Sequence, residues 1–552
     1  MSAVRHVERY RGYNIRELTI GRVLAEKAAR IGDKVFLTWL PDGRRWTYRD
    51  IDRDSNALAN GLLNAGLAPG AHVAILMENC PEQVLAFFAL GKLGAVAVPI
   101  NAAARGEQLR YFIEQSDSSA IVVQARFVER LLAIGRDAEQ DLAARLRLVI
   151  VVADESGVAL PAAPWNAVPF DRVAAAGRDE APAVRVGFRD MAMIMYTSGT
   201  TGPSKGCVFS QVRTLLWGMS HAEALGYRAS DVFYICLPLF HVSALQGTLY
   251  NALTLEASVA LQRRFSASGF WRDLRESGAT LTGMQGSMPN ILWGRPPSPE
   301  DREHRLRVCQ VSPCPEFAAA FEERFGTRFV SGYGLTDYWS SHALTLSDPA
   351  RKIGSAGRTR RGIEARVVDE NDFDVPVGEP GELVLRNNNP WEAGEGYYRM
   401  PEASLASMRN GWFHTGDRVR IDEDGYMWFV GRGKDTIRRR GENVSAFEIE
   451  SVVKKHPAVA DAAAYAVASE LGEEDVALAV VLREGHALDE AELVRWCAAN
   501  MAYFMVPRYV RRLPDLPRTL SHKVQKFRLR EESERDRGAL WDREASGIKV
   551  GR

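Results

Sequence analysis

The sequence predicts an α/β protein: a large N-terminal domain of two successive α/β sandwich lobes plus a small β-barrel or sheet, followed by a mobile α+β C-terminal domain. Three observations predict it. Between residues 45 and 330, short apolar runs alternate with helical stretches, the texture of a parallel sheet covered by helices. After residue 350 the runs are separated by turn signals such as GEPGE and DEDG, as in short antiparallel strands. A basic, glycine-rich stretch, GRGKDTIRRRGENVS (431–445), then resembles a hinge.

Each element follows in order. HVAILM (72–77) reads as a buried strand, PEQVLAFFALGKLG (81–94) as a helix with one apolar face, and AVAVPI (95–100) and SAIVV (119–123) as further strands. In the second lobe VFYICLP, SVALQ, ATLTGM and RVCQVS are strands, and PEFAAAFEERFG is a helix between strands. IEARVVDE, GELVLRN and YMWFVG supply the antiparallel part. FEIESVVKKHPAVADAAAYAVA and DVALAVVLREG give the last unit, of roughly a hundred residues. The boundary is expected near Lys434, dividing the chain into 1–433 and 434–552.

Composition narrows the function. Seventy basic residues balance seventy acidic ones, so no global charge points to nucleic acid or an anionic membrane. The six cysteines are scattered; Cys309 and Cys314 have no matching Cys/His pair nearby, so free thiols in a reducing cytoplasm are expected rather than zinc. The first residues lack the apolar core of a signal peptide. The longest apolar stretch, 232–255, is interrupted by Pro238, His241, Gln246 and Asn251 and reads as core rather than an integral membrane segment.

The stretch YTSGTTGPSKG (196–206) follows the apolar run MAMIM, a strand-like lead into a hydroxyl- and glycine-rich loop with a lysine. Such a loop offers amides and hydroxyls to an anion, and phosphate is the first candidate. Its spacing differs from GxxxxGK[ST], so the usual P-loop inference does not apply. Four further segments follow in order: SGYGLTD (331–337), GWFHTGD (411–417), GRGKDTIRRRGENVSAFEIE (431–450) and LPRTLSHKVQKFRLR (516–530). Together these resemble the signature segments of the adenylate-forming superfamily of acyl-CoA synthetases, peptide-synthetase adenylation domains and luciferases. The resemblance begins at WTYRDIDRDSNALANGLLNAGL and GKLGAVAVPIN and covers nearly the whole chain. ENCPE, VPINA, RRRGENVS and NMAYFMVPRYVRRLPDLPRT are most similar to bacterial crotonobetaine/carnitine–CoA ligases.

The resemblance implies an ATP-dependent acyl-CoA synthetase that takes a small carboxylic acid, ATP and coenzyme A, with Mg²⁺. The chemistry is coherent: a carboxylate has no good leaving group until it is joined to AMP, and that step brings two anions together. Thr197, Ser198, Gly199, Thr200, Thr201 and Lys205 would hold the β- and γ-phosphates. Gly332, Tyr333 and Gly334 would receive adenine, Thr336 an α-phosphate oxygen, and Asp337 the metal. Relatives usually carry Glu at position 337; the shorter Asp suits a water-bridged cation. Asp417 would accept both ribose hydroxyls, with Arg432 beside the sugar. Lys523 would be the catalytic lysine, although His522 stands where relatives have glycine. His241 would sit between acyl pocket and thiol entry, or in the core. Lys434 would be the hinge pivot and Gly441 would line the coenzyme A tunnel. Arg438, Arg439 and Arg440 are either phosphate contacts or a solvated run, and Lys526 reads as a surface charge. Ser312–Pro313–Cys314–Pro315 replaces a small-residue turn of relatives, which leaves the acid open. Loading of a carrier-protein pantetheine, a luciferase-like oxygenase and a nucleotide-binding pseudoenzyme are the alternatives.

Overall fold

A computed structural model describes residues 9–10, 12–135, 142–157, 165–197, 203–285, 288–312, 314–315, 317–432, 436–469, 472–518 and 524–551. The chain forms two compact units. The first comprises Met1–Ala102, Ile113–Tyr196 and Gly206–Gly431; the second comprises Ala103–Phe112, Thr197–Lys205 and Arg432–Arg552.

The first unit is built on three large sheets, beside a short pair, Arg9–Tyr10 and Tyr13–Asn14. One has seven strands in the order Lys205–Ser210, Met191–Thr197, Val96–Ile100, His72–Leu76, Ala120–Gln124, Leu148–Val152 and Ala167–Pro169. The strands from Met191–Thr197 onward pair in parallel. The three strands Val96–Ile100, Ala120–Gln124 and Leu148–Val152 are buried at every residue, as expected of a sheet covered on both faces. A nine-stranded sheet runs from Arg358–Thr359 to Arg45–Thr47. Its centre is parallel, through Ser258–Leu261, Val232–Ile235, Leu281–Gln285 and Val308–Ser312, and its ends are antiparallel. The third is a curled half-barrel of Ile363–Val368, Gly381–Asn387, Met408–Arg409, Trp412–Ile421 and Met427–Arg432.

The helix Pro81–Leu93 differs from the expectation of a single apolar face. Every residue except Glu82 is buried, so the helix is enclosed on all sides. Its buried lysine is satisfied: the Lys92 ammonium donates to Asp52 Oδ1 at 2.7 Å and to Asn56 Oδ1 at 2.6 Å. The helix Tyr48–Asn64 that supplies these partners starts at a capping box, where Asp50 N donates to Thr47 Oγ1 (3.1 Å) and Thr47 N to Asp50 Oδ2 (3.0 Å).

The second unit is α+β. Strands Val459–Ala468, Glu474–Leu482, Tyr509–Arg512 and Trp541–Asp542 form a sheet, with helices Ala446–Val453, Glu490–Asn500 and Lys526–Arg535 in the same unit. The hairpin Thr436–Arg439/Glu442–Ser445 precedes them. Among the described residues, no helix is long and apolar enough to cross a membrane.

Candidate active site

In the first unit the strand Arg328–Gly334 carries the SGYG residues. It pairs antiparallel with Ser340–Leu344, and the register shifts between Tyr333 and Gly334. Glycine is required here by close approach: a Cβ on Gly332 would lie 3.0 Å from the His342 carbonyl oxygen, and one on Gly334 would lie 2.9 Å from Ser340 Cα. The shift opens a turn closed by Leu335 N to Trp339 O (3.1 Å) and Tyr338 N to Leu335 O (3.1 Å). Thr336 and Asp337 stand at its tip, both half-buried.

Two hydrogen bonds tie this turn to segments distant in sequence. The Tyr333 hydroxyl donates to Asp417 Oδ2 at 2.6 Å, joining SGYGLTD to GWFHTGD. Asp417 is 1% exposed, so its carboxylate is held in place by its surroundings. The Asp417 amide donates to Thr415 Oγ1 at 3.1 Å, and Thr415 in turn donates to the Leu383 carbonyl at 2.7 Å. The second tie runs from the Tyr397 hydroxyl to Asp337 Oδ2, also 2.6 Å. Burial and the neighbouring Asp337 charge push the Tyr397 phenol well above its ordinary range, so it remains a donor. Ser312 Oγ donates to the Gly332 carbonyl at 2.9 Å, which anchors the start of the 312–315 segment beside the same strand.

A family model described as "AMP-binding enzyme" matches residues 24–398, more than half of the chain, and one described as "AMP-binding enzyme C-terminal domain" matches residues 448–523. The chain belongs to the AMP-binding enzyme family. A crotonobetaine/carnitine–CoA ligase of Salmonella typhi is 32% identical over 94% of this chain and 99% of its own. The solved structure of an o-succinylbenzoate CoA synthetase from Bacillus subtilis aligns with a TM-score of 0.78 at 23% identity, covering 92% of this chain and 98% of that one. An amide bond synthetase from Marinactinospora thermotolerans aligns at 0.79 with 24% identity, covering 93% and 99%. At those identities the two structures establish the fold. As a family member the chain is an AMP-forming acid–CoA ligase of the adenylate-forming superfamily, with ATP and coenzyme A as co-substrates and Mg²⁺.

The residues of this AMP-binding enzyme fit a magnesium-bound nucleotide. Asp337 is a hard oxygen donor, accessible in part, with one carboxylate oxygen engaged by Tyr397. Among the described residues no group of three metal-ligating side chains forms, so the cation would draw its other ligands from phosphate and water.

Several expected residues are placed by the fold. Thr197 ends the strand Met191–Thr197, and Lys205 opens the strand Lys205–Ser210. Ser198, Gly199, Thr200, Thr201, Lys434 and Lys523, together with Pro313 and the Arg432 side chain, lie outside the described residues. His241 is half-buried, packs its ring on Phe240 at 4.4 Å, and precedes the helical turn Val242–Ala244. The fully packed histidines are others. His221 is pulled down to about 4 and His342 to about 3, both mainly by burial and secondarily by the Arg360 charge.

Within the basic run at 438–440, Arg439 departs from the expectation, while Arg440 is exposed. Arg439 is 2% exposed and forms an ion pair with Asp475 at 3.1 Å, while its Nη1 donates to the Phe504 and Val506 carbonyls. It is a core cation, neither solvated nor offered to phosphate. Gly441 (φ 82°) and Arg440 (φ 53°) form the two-residue turn of the hairpin, which needs positive φ at both positions. The Gly441 amide donates to Glu473 Oε1 at 3.1 Å. Lys526, expected as a surface charge, instead pairs with Glu450 at 2.8 Å with 15% of its side chain exposed.

Sequence reasoning missed Tyr397 and Glu448. Glu448 accepts from the Ser204 hydroxyl, and desolvation pushes its carboxyl up to about 7 although part of its surface stays exposed. Ser204 also offers its carbonyl to the Tyr111 hydroxyl at 2.6 Å. Nothing in the spacing of either residue signals these contacts; Ser204 and Glu448 are 244 positions apart.

Proposed function

We propose that this ligase activates a free carboxylic acid as its acyl-adenylate and then transfers the acyl group to coenzyme A, with the sites held by two domains, 1–433 and 434–552. The observation that carries the reading is the Tyr333–Asp417 hydrogen bond. It brings an aromatic face and a buried ribose-type acceptor together from two separate motif segments. In this reading Tyr333 and the glycines Gly332 and Gly334 receive adenine, Asp417 and Arg432 hold the ribose, and Thr336 meets the α-phosphate. The 197–201 loop and Lys205 hold the outgoing pyrophosphate. When bound at Asp337, Mg²⁺ would neutralise charge on the triphosphate.

The acyl carboxylate attacks the α-phosphorus, the bond to the β-phosphate oxygen breaks, and pyrophosphate leaves with that electron pair. Lys523 supplies a positive charge between carboxylate and α-phosphate during this step. The thiol of coenzyme A then displaces AMP, after Lys523 has left on its domain through the pivot at Lys434 and Gly441 lines the path of the thiol arm. His241 flanks the acyl pocket. The site of action is the cytoplasm, in keeping with six free thiols.

Similarity to crotonobetaine/carnitine ligases puts betaine-type acids first in the test, followed by fatty, aromatic and short branched acids. ATP–pyrophosphate exchange is measured over this panel with Mg²⁺, then thioester is sought after adding coenzyme A. Exchange with one acid class and formation of its thioester is expected. Exchange without thioester would favour loading of a carrier-protein pantetheine, and no exchange with any acid would overturn the reading.

A further inference from the structure

Beneath the turn that carries Thr336 and Asp337 lies a guanidinium that neither the motifs nor the chemistry above uses. Arg213, in the first turn of the helix Gln211–Leu225, is 0% exposed and is among the largest fully buried side chains of the chain. Its Nη2 donates to the carbonyl of Thr336 at 2.9 Å and to that of Tyr338 at 2.8 Å, so one nitrogen grips the turn on both sides of Asp337. Nη1 donates to the Val208 carbonyl, on the strand that begins with Lys205. The guanidinium carbon sits 3.8 Å from the centre of the Phe209 ring, and Nε has no hydrogen-bond partner.

This arrangement is expensive for a residue with only a packing role. Among the described residues no carboxylate comes within ion-pair distance of Arg213; three carbonyls and an aromatic face touch the guanidinium, and the Glu395 and Asp337 charges act on it from farther away, against a burial cost that is the larger effect. An apolar side chain of similar volume fills such a position without the desolvation cost of a guanidinium, but it leaves the Val208, Thr336 and Tyr338 carbonyls without their donor. What the apolar chain cannot do is fix two carbonyls of one turn from a rigid fork.

The surroundings show what is being fixed. Asp337 is held from the opposite direction by the Tyr397 hydroxyl at 2.6 Å. Tyr397 belongs to a segment that runs beside the strand Lys205–Ser210, with Val208 N donating to Gly396 O (3.1 Å) and Tyr398 N to Gly206 O (2.7 Å). Gly394 comes so close under the turn that a Cβ there would lie 2.1 Å from the Asp337 carbonyl oxygen. Glu395, next to it, accepts from Ser210 N at 2.6 Å. The turn is thus clamped by Arg213 through its backbone and by Tyr397 through its side chain, and both clamps return to the same strand.

We propose that Arg213 is a positioning residue: it sets the Thr336–Asp337 turn for a magnesium-bound nucleotide and places a fixed positive charge behind it. The shorter Asp337 gives this a purpose. A carboxylate one methylene short of the usual Glu has less reach, so its usefulness to a cation depends more on where the backbone holds it. The inference rests on the reading of this turn as the nucleotide's, and it concerns binding before any acid is chosen.

The test compares wild-type protein with Arg213→Met, Arg213→Lys and Asp337→Ala, reading thermal stability and the affinity for a non-hydrolysable ATP analogue as Mg²⁺ is titrated. Arg213→Met is expected to melt below wild type, because three carbonyls lose their donor, and its binding is read at a temperature where it is folded. Its affinity for the analogue falls about tenfold or more, and the Mg²⁺ needed for half-maximal binding rises, as in Asp337→Ala. Arg213→Lys keeps the charge but not the fork and falls between wild type and Arg213→Met. Wild-type affinity and Mg²⁺ dependence in Arg213→Met would overturn the proposal. Should that variant not fold, the same result in folded Arg213→Lys would overturn it, whereas a raised Mg²⁺ requirement there supports it. Failure of the wild-type protein to exchange pyrophosphate with any acid would sink the proposed reaction yet leave this binding comparison readable.

Discussion

A single ammonium group separates the two half-reactions proposed above. Adenylation brings a carboxylate against a triphosphate and needs a counter-charge between them; thioester formation needs that charge out of the way. Lys523→Ala is therefore expected to lower adenylate formation by about a hundredfold or more, the size of effect that removing one transition-state electrostatic contact has elsewhere. Transfer from preformed acyl-adenylate to coenzyme A should change only a few-fold. Single-turnover assays of each half-reaction check this, and equal losses in both would remove Lys523 from its role. At this scale the segments SGYGLTD and GWFHTGD were legible as motifs, and the structure joins them through Tyr333 and Asp417. Their other partners were not legible. Tyr397 reaches Asp337 across 60 positions, and Arg213 reaches Thr336 across 123. Such pairs are fixed by how the sheets stack, which no local spacing records.

Strands and helices were legible where the apolar residues of a run coincide with its buried positions, as in His72–Leu76, Val308–Ser312 or Ala318–Phe325. Errors arose where an element's environment differs from its composition. Gln83 and Lys92 gave the helix Pro81–Leu93 a polar side on paper, yet both are buried, Lys92 against Asp52 and Asn56. Arg439 looked like one of three solvated cations but is enclosed with Asp475. The helix Tyr48–Asn64, which holds Lys92, depends on its own start. Thr47→Ala removes the hydroxyl that receives the Asp50 amide and should cost about 1 kcal/mol, a typical loss for an N-cap. Because Thr47 lies outside the nucleotide site, catalytic constants should stay at wild-type values while the midpoint of denaturant unfolding falls. An unchanged midpoint would mean that the capping box contributes nothing measurable.

The two compact units differ in how protons act on them. His221 and His342 belong to the first unit, and burial together with the Arg360 charge keeps both neutral, pulled from 6.5 to about 4 and about 3. The unfolded chain then binds more protons than the folded one below pH 6.5. The stability these residues contribute is present above 6.5 and is lost as pH falls toward their folded values. Glu448, in the second unit, behaves oppositely. Its carboxyl is raised from 4.5 to about 7, so the folded state holds the extra proton, and the associated stability is present below 4.5 and is lost as pH rises through 7. Acidification from pH 7.5 to pH 5 should therefore weaken the first unit and strengthen the second. Hydrogen exchange, corrected for the intrinsic effect of pH, reads each unit through its own peptides. Protection of the strands around His342 is expected to fall, and protection around Ala446–Val453 to rise. Glu448→Gln, neutral at every pH, should abolish the rise without altering the fall. Parallel loss of protection in both units on acidification would show that Glu448 does not carry the proton assigned to it.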